Sequence, residues 1–145
     1  MLGTTEARRA QRIGSMTHNE LSGLVIKAAI AVHRALGPGL LESVYQVCLA
    51  QELRDMGIPV AEQSAVPIIY KGNRLANDLR IDLLVDDRIV VEVKAVVELH
   101  PIHTAQLLTY LKLTNKKLGL LINFNVEKLT DGVERKMNGF LVDGE

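Results

Sequence analysis

Between Leu79 and Val96 the chain reads LRIDLLVDDRIVVEVKAV, and three ionisable residues interrupt its apolar segments: Asp82 before the acidic turn, Glu92 and Lys94 after it. A charge set among Val, Ile and Leu is costly unless it is paired or bound to a metal. Two carboxylates beside an ammonium suit a hard divalent cation, Mg²⁺ (or Mn²⁺), which takes oxygen ligands and leaves positions for water and a substrate phosphate. The Val93 carbonyl can complete the protein's share of ligands. Lys94 is placed to orient a water or offset charge on a phosphoryl oxygen. An Asp/Glu/Lys ion-pair cluster on a half-exposed sheet face would use the same residues, and the apolar flanks argue against it.

Strand alternation sets the geometry these residues need. Glu92 and Lys94 fall on one face, and Val91 and Val93 on the other. If Asp86 and Asp87 made a two-residue turn, Asp82 would oppose Val91 and point away from Glu92. The reading therefore requires an odd-length loop or a bulge that includes Arg88, with one of the aspartates in the left-handed conformation.

The elements around this hairpin follow from caps and periodicity. Thr17-His18-Asn19-Glu20 reads as a capping box opening a first helix, with Leu21, Leu24, Val25, Ala28, Val32 and Leu36 at helical spacing and Gly37-Pro38-Gly39 closing it. His33 beside that stripe reads as a packed or capping residue. A second helix is expected from about Leu40 to Met56, with Glu42 next to its core stripe and three residues before Tyr45. Ala65 to Tyr70 reads as a strand, and Lys71-Gly72-Asn73 as a turn. Pro101 suits the first turn of a third helix reaching about Leu113, on which His103, Gln106 and Tyr110 share a face opposite the leucines. Leu118 to Phe124 reads as a strand covered on both faces, and Gly132 to Lys136 as a short edge strand.

Four of these elements, taken in order, resemble the PD-(D/E)XK nuclease superfamily. Asp82, Glu92 and Lys94 match its D-x(n)-E-x-K core, and Gln106 and Tyr110 look like the Q-x-x-x-Y element of its RecB-like exonuclease branch. The segment GLLESVY at Gly39 to Tyr45 matches the signature of the GxxExxY family, and the resemblance runs from about Thr17 to the neighbourhood of Asn138. Ile81 stands where the superfamily motif has proline. The resemblance implies a restriction-endonuclease-like fold and a site in which Asp82, Glu92, the Val93 carbonyl and Glu42 hold Mg²⁺ or Mn²⁺. It also implies that Gln106 and Tyr110 face the substrate, with Tyr45 grouped beside them either to orient Glu42 or to pack by its ring.

Composition bounds the alternatives. The chain of 145 residues is long enough for a single core, and its 17 basic residues balance 17 acidic ones, so no global field draws in a polyanion. Phosphate contacts must then be local: Lys71, Arg74 and Arg80 form one candidate cluster, and Lys112, Lys116 and Lys117 another. A lone Cys48 excludes an internal disulfide and fits a reducing, cytoplasmic compartment. No run reaches the roughly 20 apolar residues of a membrane span. Residues 1–15 lack apolar periodicity and are expected to be a flexible leader ahead of one domain, residues 16–145.

The expected architecture is an α/β three-layer sandwich with a mixed central sheet, in the order α, α, β, β, β, α, β. The expected function is a Mg²⁺-dependent phosphodiesterase acting on DNA or RNA. The alternative is a catalytically silent nuclease-like module that works as a subunit. Neutral charge and small size favour dependence on a partner, either a second copy in a homodimer or another protein.

Overall fold

A computed structural model describes residues 3–145. Helix α1 (Thr4–Ser15) is followed by α2 (His18–Leu36) and α3 (Glu42–Asp55). Strands β1 (Val60–Val66), β2 (Ile69–Tyr70), β3 (Asn73–Arg74), β4 (Leu79–Val85) and β5 (Ile89–Lys94) come next. Helix α4 (Pro101–Thr114), β6 (Leu118–Asn123), a 3₁₀ turn (Leu129–Gly132) and β7 (Val133–Met137) complete the order.

Five strands form one mixed sheet in the order β1-β4-β5-β6-β7, and β2 with β3 makes a separate small hairpin. Among the described residues only β5 and β6 pair in parallel, because α4 carries the chain back across the sheet between them. Every residue of β6 is buried, as its unbroken apolar run requires of a strand covered on both faces. One core lies between the sheet and α2 with α3, and contains Leu21, Val25, Leu49, Leu53, Val91, Val93, Leu120 and Phe124. The other lies under α4, with Val90, Leu107, Leu111 and Leu121. The layers are therefore helix, sheet, helix, the three-layer sandwich expected from the element order.

Local chemistry explains most boundaries. Thr17 caps α2 by accepting from the Glu20 amide at 3.1 Å, and the Glu20 carboxylate accepts from the Thr17 hydroxyl rather than from its backbone. Gly37 ends α2 at φ 68°, a conformation that favours glycine. Buried His33 engages the Val126 carbonyl at 2.7 Å, the packed role expected of it.

Two expectations need correction. The strand read over Ala65 to Tyr70 splits at Pro67, with β1 running Val60–Val66 and Ile69–Tyr70 turning back in the small hairpin. Residues 4–15 form a helix where no regular element was expected; Met1 and Leu2 lie outside the described residues. The anchor of α1 is tertiary. Ile13 is buried in the main core, and Arg88 donates to the Ile13 carbonyl at 3.1 Å, which also accepts from the Met16 amide, and to the Met16 carbonyl at 2.6 Å.

Candidate active site

The β4–β5 hairpin resolves the register problem with a three-residue loop. Leu83 pairs with Val91, Leu84 with Val90 and Val85 with Ile89, so one further step sets Asp82 opposite Glu92. Asp86 and Asp87 both adopt positive φ, 50° and 56°, where a single left-handed aspartate was expected. Arg88 is the extra residue, and its amide closes the turn on the Val85 carbonyl at 2.9 Å.

At Asp82 the strand turns over. Leu83 and Val85 belong to the core under α2 and α3, whereas Ile81 belongs to the core under α4, although strict alternation would put all three on one face. Opposite this pivot the β1 pairing skips Gln63, which sits at φ 49°. The Asp82 carboxylate consequently lies against the backbone of β5. Its Oδ2 accepts from the Val93 amide at 2.8 Å, while the Glu92 Oε1 accepts from the Asp82 amide at 3.3 Å. Each carboxylate thus takes the place of a ladder carbonyl on the other strand. Because N–H and C=O of one strand residue point to the same side, the Val93 carbonyl faces β4 along with Asp82.

Glu92 is 4% exposed. Burial, then the Asp82 charge and a hydrogen bond with the Asp82 carboxyl, push its pKa up to about 9 despite the opposing pull of Lys94. Lys94 stands at the end of β5, half-buried, and makes no ion pair among the described residues. Tyr110 is raised by burial and by the charges of Glu92 and Asp82, which places its ring in their field, and its hydroxyl accepts from Gln106 Nε2 at 3.1 Å. The structure therefore brings together Asp82, Glu92, Lys94, the Val93 carbonyl, Tyr110 and, through Tyr110, Gln106.

Glu42 is near but is held separately. As the first residue of α3 it is exposed, and its Oε1 accepts from the Ala95 amide at 3.3 Å, one residue past Lys94. Among the described residues no three His, Cys, Asp or Glu side chains converge, so the expected three-carboxylate set reduces to Asp82 and Glu92 with Glu42 on its border. Two carboxylates and a carbonyl still fit a hard divalent ion, which commonly keeps water in its remaining positions. Their mutual repulsion, visible in the raised Glu92, is what a cation would relieve.

Tyr45 lies in the core and makes no hydrogen bond to this cluster. It is fully buried, stacks on Phe124 at 4.6 Å, donates to the Gly37 carbonyl at 2.5 Å and accepts from the Leu40 amide at 3.1 Å. Its hydroxyl is spent on the loop that aims α3, so it positions the Glu42 helix from beneath. His103 is occupied at the start of α4, where its Nδ1 accepts from the His100 amide at 3.1 Å.

Gln63 and Gln46 were missed by sequence reasoning. Gln63 Nε2 donates to Asp82 Oδ1 at 3.2 Å and to Gln46 Oε1 at 2.7 Å, tying the pivot aspartate to α3. Gln46 lies one turn after Glu42 on the helix face that carries it, a signal the sequence did contain. No sequence cue marks Gln63, because its left-handed backbone is a response to the turn-over at Asp82.

No curated protein and no solved structure matches the chain. A family model does, over residues 19–136, and that span holds every element of the site from Glu42 on α3 to Tyr110 on α4. With the helix–sheet–helix layering of a restriction-endonuclease-like fold and an acidic pair whose glutamate stands two residues before a lysine, the chain belongs to the PD-(D/E)XK nuclease superfamily.

Proposed function

We propose that this protein is a divalent-metal-dependent phosphodiesterase that cleaves DNA or RNA, and that it is of the GxxExxY type by its segment Gly39 to Tyr45. The observation that carries the reading is the crossed pair of Asp82 and Glu92, each carboxylate on the other strand's backbone, with Lys94 beside them. Asp82, Glu92 and the Val93 carbonyl would hold Mg²⁺ or Mn²⁺, with Glu42 at the border reached directly or through water. A bound ion of this kind supplies Lewis-acid stabilisation of phosphoryl charge and a more acidic water.

The chain's own residues do the rest. Lys94 carries an ammonium on the Glu92 face, where it offsets charge on a non-bridging phosphoryl oxygen and orients the attacking water. Tyr110 and Gln106 form a hydrogen-bonded pair whose amide and hydroxyl can meet a phosphate or a base edge. Asp82, kept in place by Gln63 and the Val93 amide, does not need to reorganise for the reaction.

With net charge zero, substrate must be held by local contacts or delivered by a partner, so weak intrinsic affinity is expected. Incubation of the purified protein with single- and double-stranded DNA and RNA, in Mg²⁺, Mn²⁺ or chelator, tests the proposal alongside Asp82→Asn and Lys94→Ala. Metal-dependent cleavage that both substitutions abolish supports it. Cleavage that persists in both variants, or none with any substrate, refutes it and favours a nuclease-like binding module.

A further inference from the structure

We infer that Asn123 is a positioning residue for the site, an inference that rests on the phosphodiesterase reading above. Asn123 is the last residue of β6, the parallel-ladder partner of Lys94, and only 2% exposed. Both polar atoms of its side chain bind backbone. Oδ1 accepts from the Val96 amide at 3.0 Å and the Asn125 amide at 3.2 Å, and Nδ2 donates to the Val96 carbonyl at 2.9 Å.

These bonds act where β5 leaves the sheet. The last ladder bond is from the Phe124 amide to the Lys94 carbonyl at 2.9 Å. Two residues later Asn123 holds both polar groups of Val96. Ala95, between those anchors, offers its amide to Glu42 at 3.3 Å. The Asn123 side chain therefore fixes one end, and the Phe124 amide the other, of the short segment that follows Lys94 and seats Glu42. Donor and acceptor on one short, planar group are needed for that task, and Asn supplies both. Without it, Val96 would keep two partly buried backbone groups unpaired and the exit of β5 would relax toward water.

Asn123→Ala is compared with Asn138→Ala, since Asn138 Nδ2 also binds backbone, at the Lys116 carbonyl (3.2 Å) before the opposite end of β6. Both are assayed for cleavage well below their melting temperatures. Asn123→Ala is expected to lower kcat roughly ten- to a hundredfold with KM within about twofold, as displacement of a positioned group does, whereas Asn138→Ala loses stability with kcat kept. Asn123→Asp retains the acceptors and loses the donor to Val96; it should fall between wild type and Asn123→Ala, and it serves the same test if Asn123→Ala does not fold. A kcat loss no larger than that of Asn138→Ala, or a loss confined to KM, overturns the inference.

If the wild type cleaves nothing, the phosphodiesterase reading fails and Asn123 is judged on Mn²⁺ binding and amide exchange. Faster exchange at Ala95 and Val96 together with Mn²⁺ affinity weakened several-fold supports the positioning role. Unchanged Mn²⁺ affinity overturns it.

Discussion

Replacing Glu92 with Gln removes a charge from a buried site while preserving its shape, and the consequence can be worked out with its sign. The folded-state pKa is raised from 4.5 to about 9, so the native protein holds a proton that the unfolded chain releases. Stability from this group is fully present below about pH 4.5 and is lost progressively as pH rises toward 9. Each unit corresponds to about 1.4 kcal/mol, so the gap sets a ceiling of about 6 kcal/mol, which structural relaxation and water entry bring down to several. Gln can donate to Asp82 as the protonated acid does, and it never ionises. In chelator at pH 8 the variant should exceed wild type by about 2–4 kcal/mol, or roughly 5–15 °C in Tm for a chain of this size. Below pH 5 the two should converge.

Thermal melts followed by circular dichroism from pH 4.5 to 9 read this difference directly, because other titrating groups are common to both proteins. Adding Mg²⁺ should close the gap, stabilising wild type by about 2.7 kcal/mol at a hundred times Kd and about 4.1 kcal/mol at a thousand times Kd while leaving Glu92→Gln unmoved. Parallel pH profiles for the two proteins, or equal stabilisation of both by the ion, would refute the argument that Glu92 is a buried carboxyl awaiting a cation.

Lys94→Ala should keep the Mg²⁺-induced rise in Tm yet lose cleavage by about 10²-fold or more, since its charge acts on the phosphoryl group; loss of the Tm rise would assign Lys94 to metal binding instead. Tyr45→Phe should cost about 1–3 kcal/mol by chemical denaturation, because it strips the Gly37 carbonyl and Leu40 amide of their partner, while KM for any substrate stays unchanged. Arg88→Met should release α1 from its two carbonyl anchors and open Arg8, Arg9 and Arg12 to limited trypsin digestion with the site unaffected; unchanged digestion would mean Ile13 alone holds the helix.

The sequence made the hairpin legible because one strand pattern constrained the other: Glu92 and Lys94 fix a face, and Asp82 reaches it only through an odd loop, as observed. The Thr17 cap and the Gly37 stop were legible for a similar reason, being chemistry within a few residues. What escaped was non-local. Helix α1 has a single buried residue and is held by an arginine 75 positions away, which no local periodicity can announce. Tyr45 shows the limit of spacing arguments. Its place three residues after Glu42 gives a helix face without a depth, and depth made it a core residue. Glu42 itself was expected among the ligands, but the Ala95 amide that takes its carboxylate belongs to a strand end whose position only the folded sheet defines.

Surface turns usually absorb insertions and deletions more easily than any other part of a fold. The Asp86-Asp87-Arg88 turn is bound by what it leaves paired. With these three residues outside the ladder Val85 meets Ile89 and Asp82 falls opposite Glu92; were the turn to tighten onto Asp86 and Asp87 alone with Arg88 drawn into the strand, Val85 would meet Arg88, Asp82 would oppose Val91, and the two carboxylates would point to opposite faces. An insertion or deletion here therefore spares the acidic pair only while Val85 and Ile89 still face each other, and any such change also displaces or removes Arg88 from the carbonyls of Ile13 and Met16.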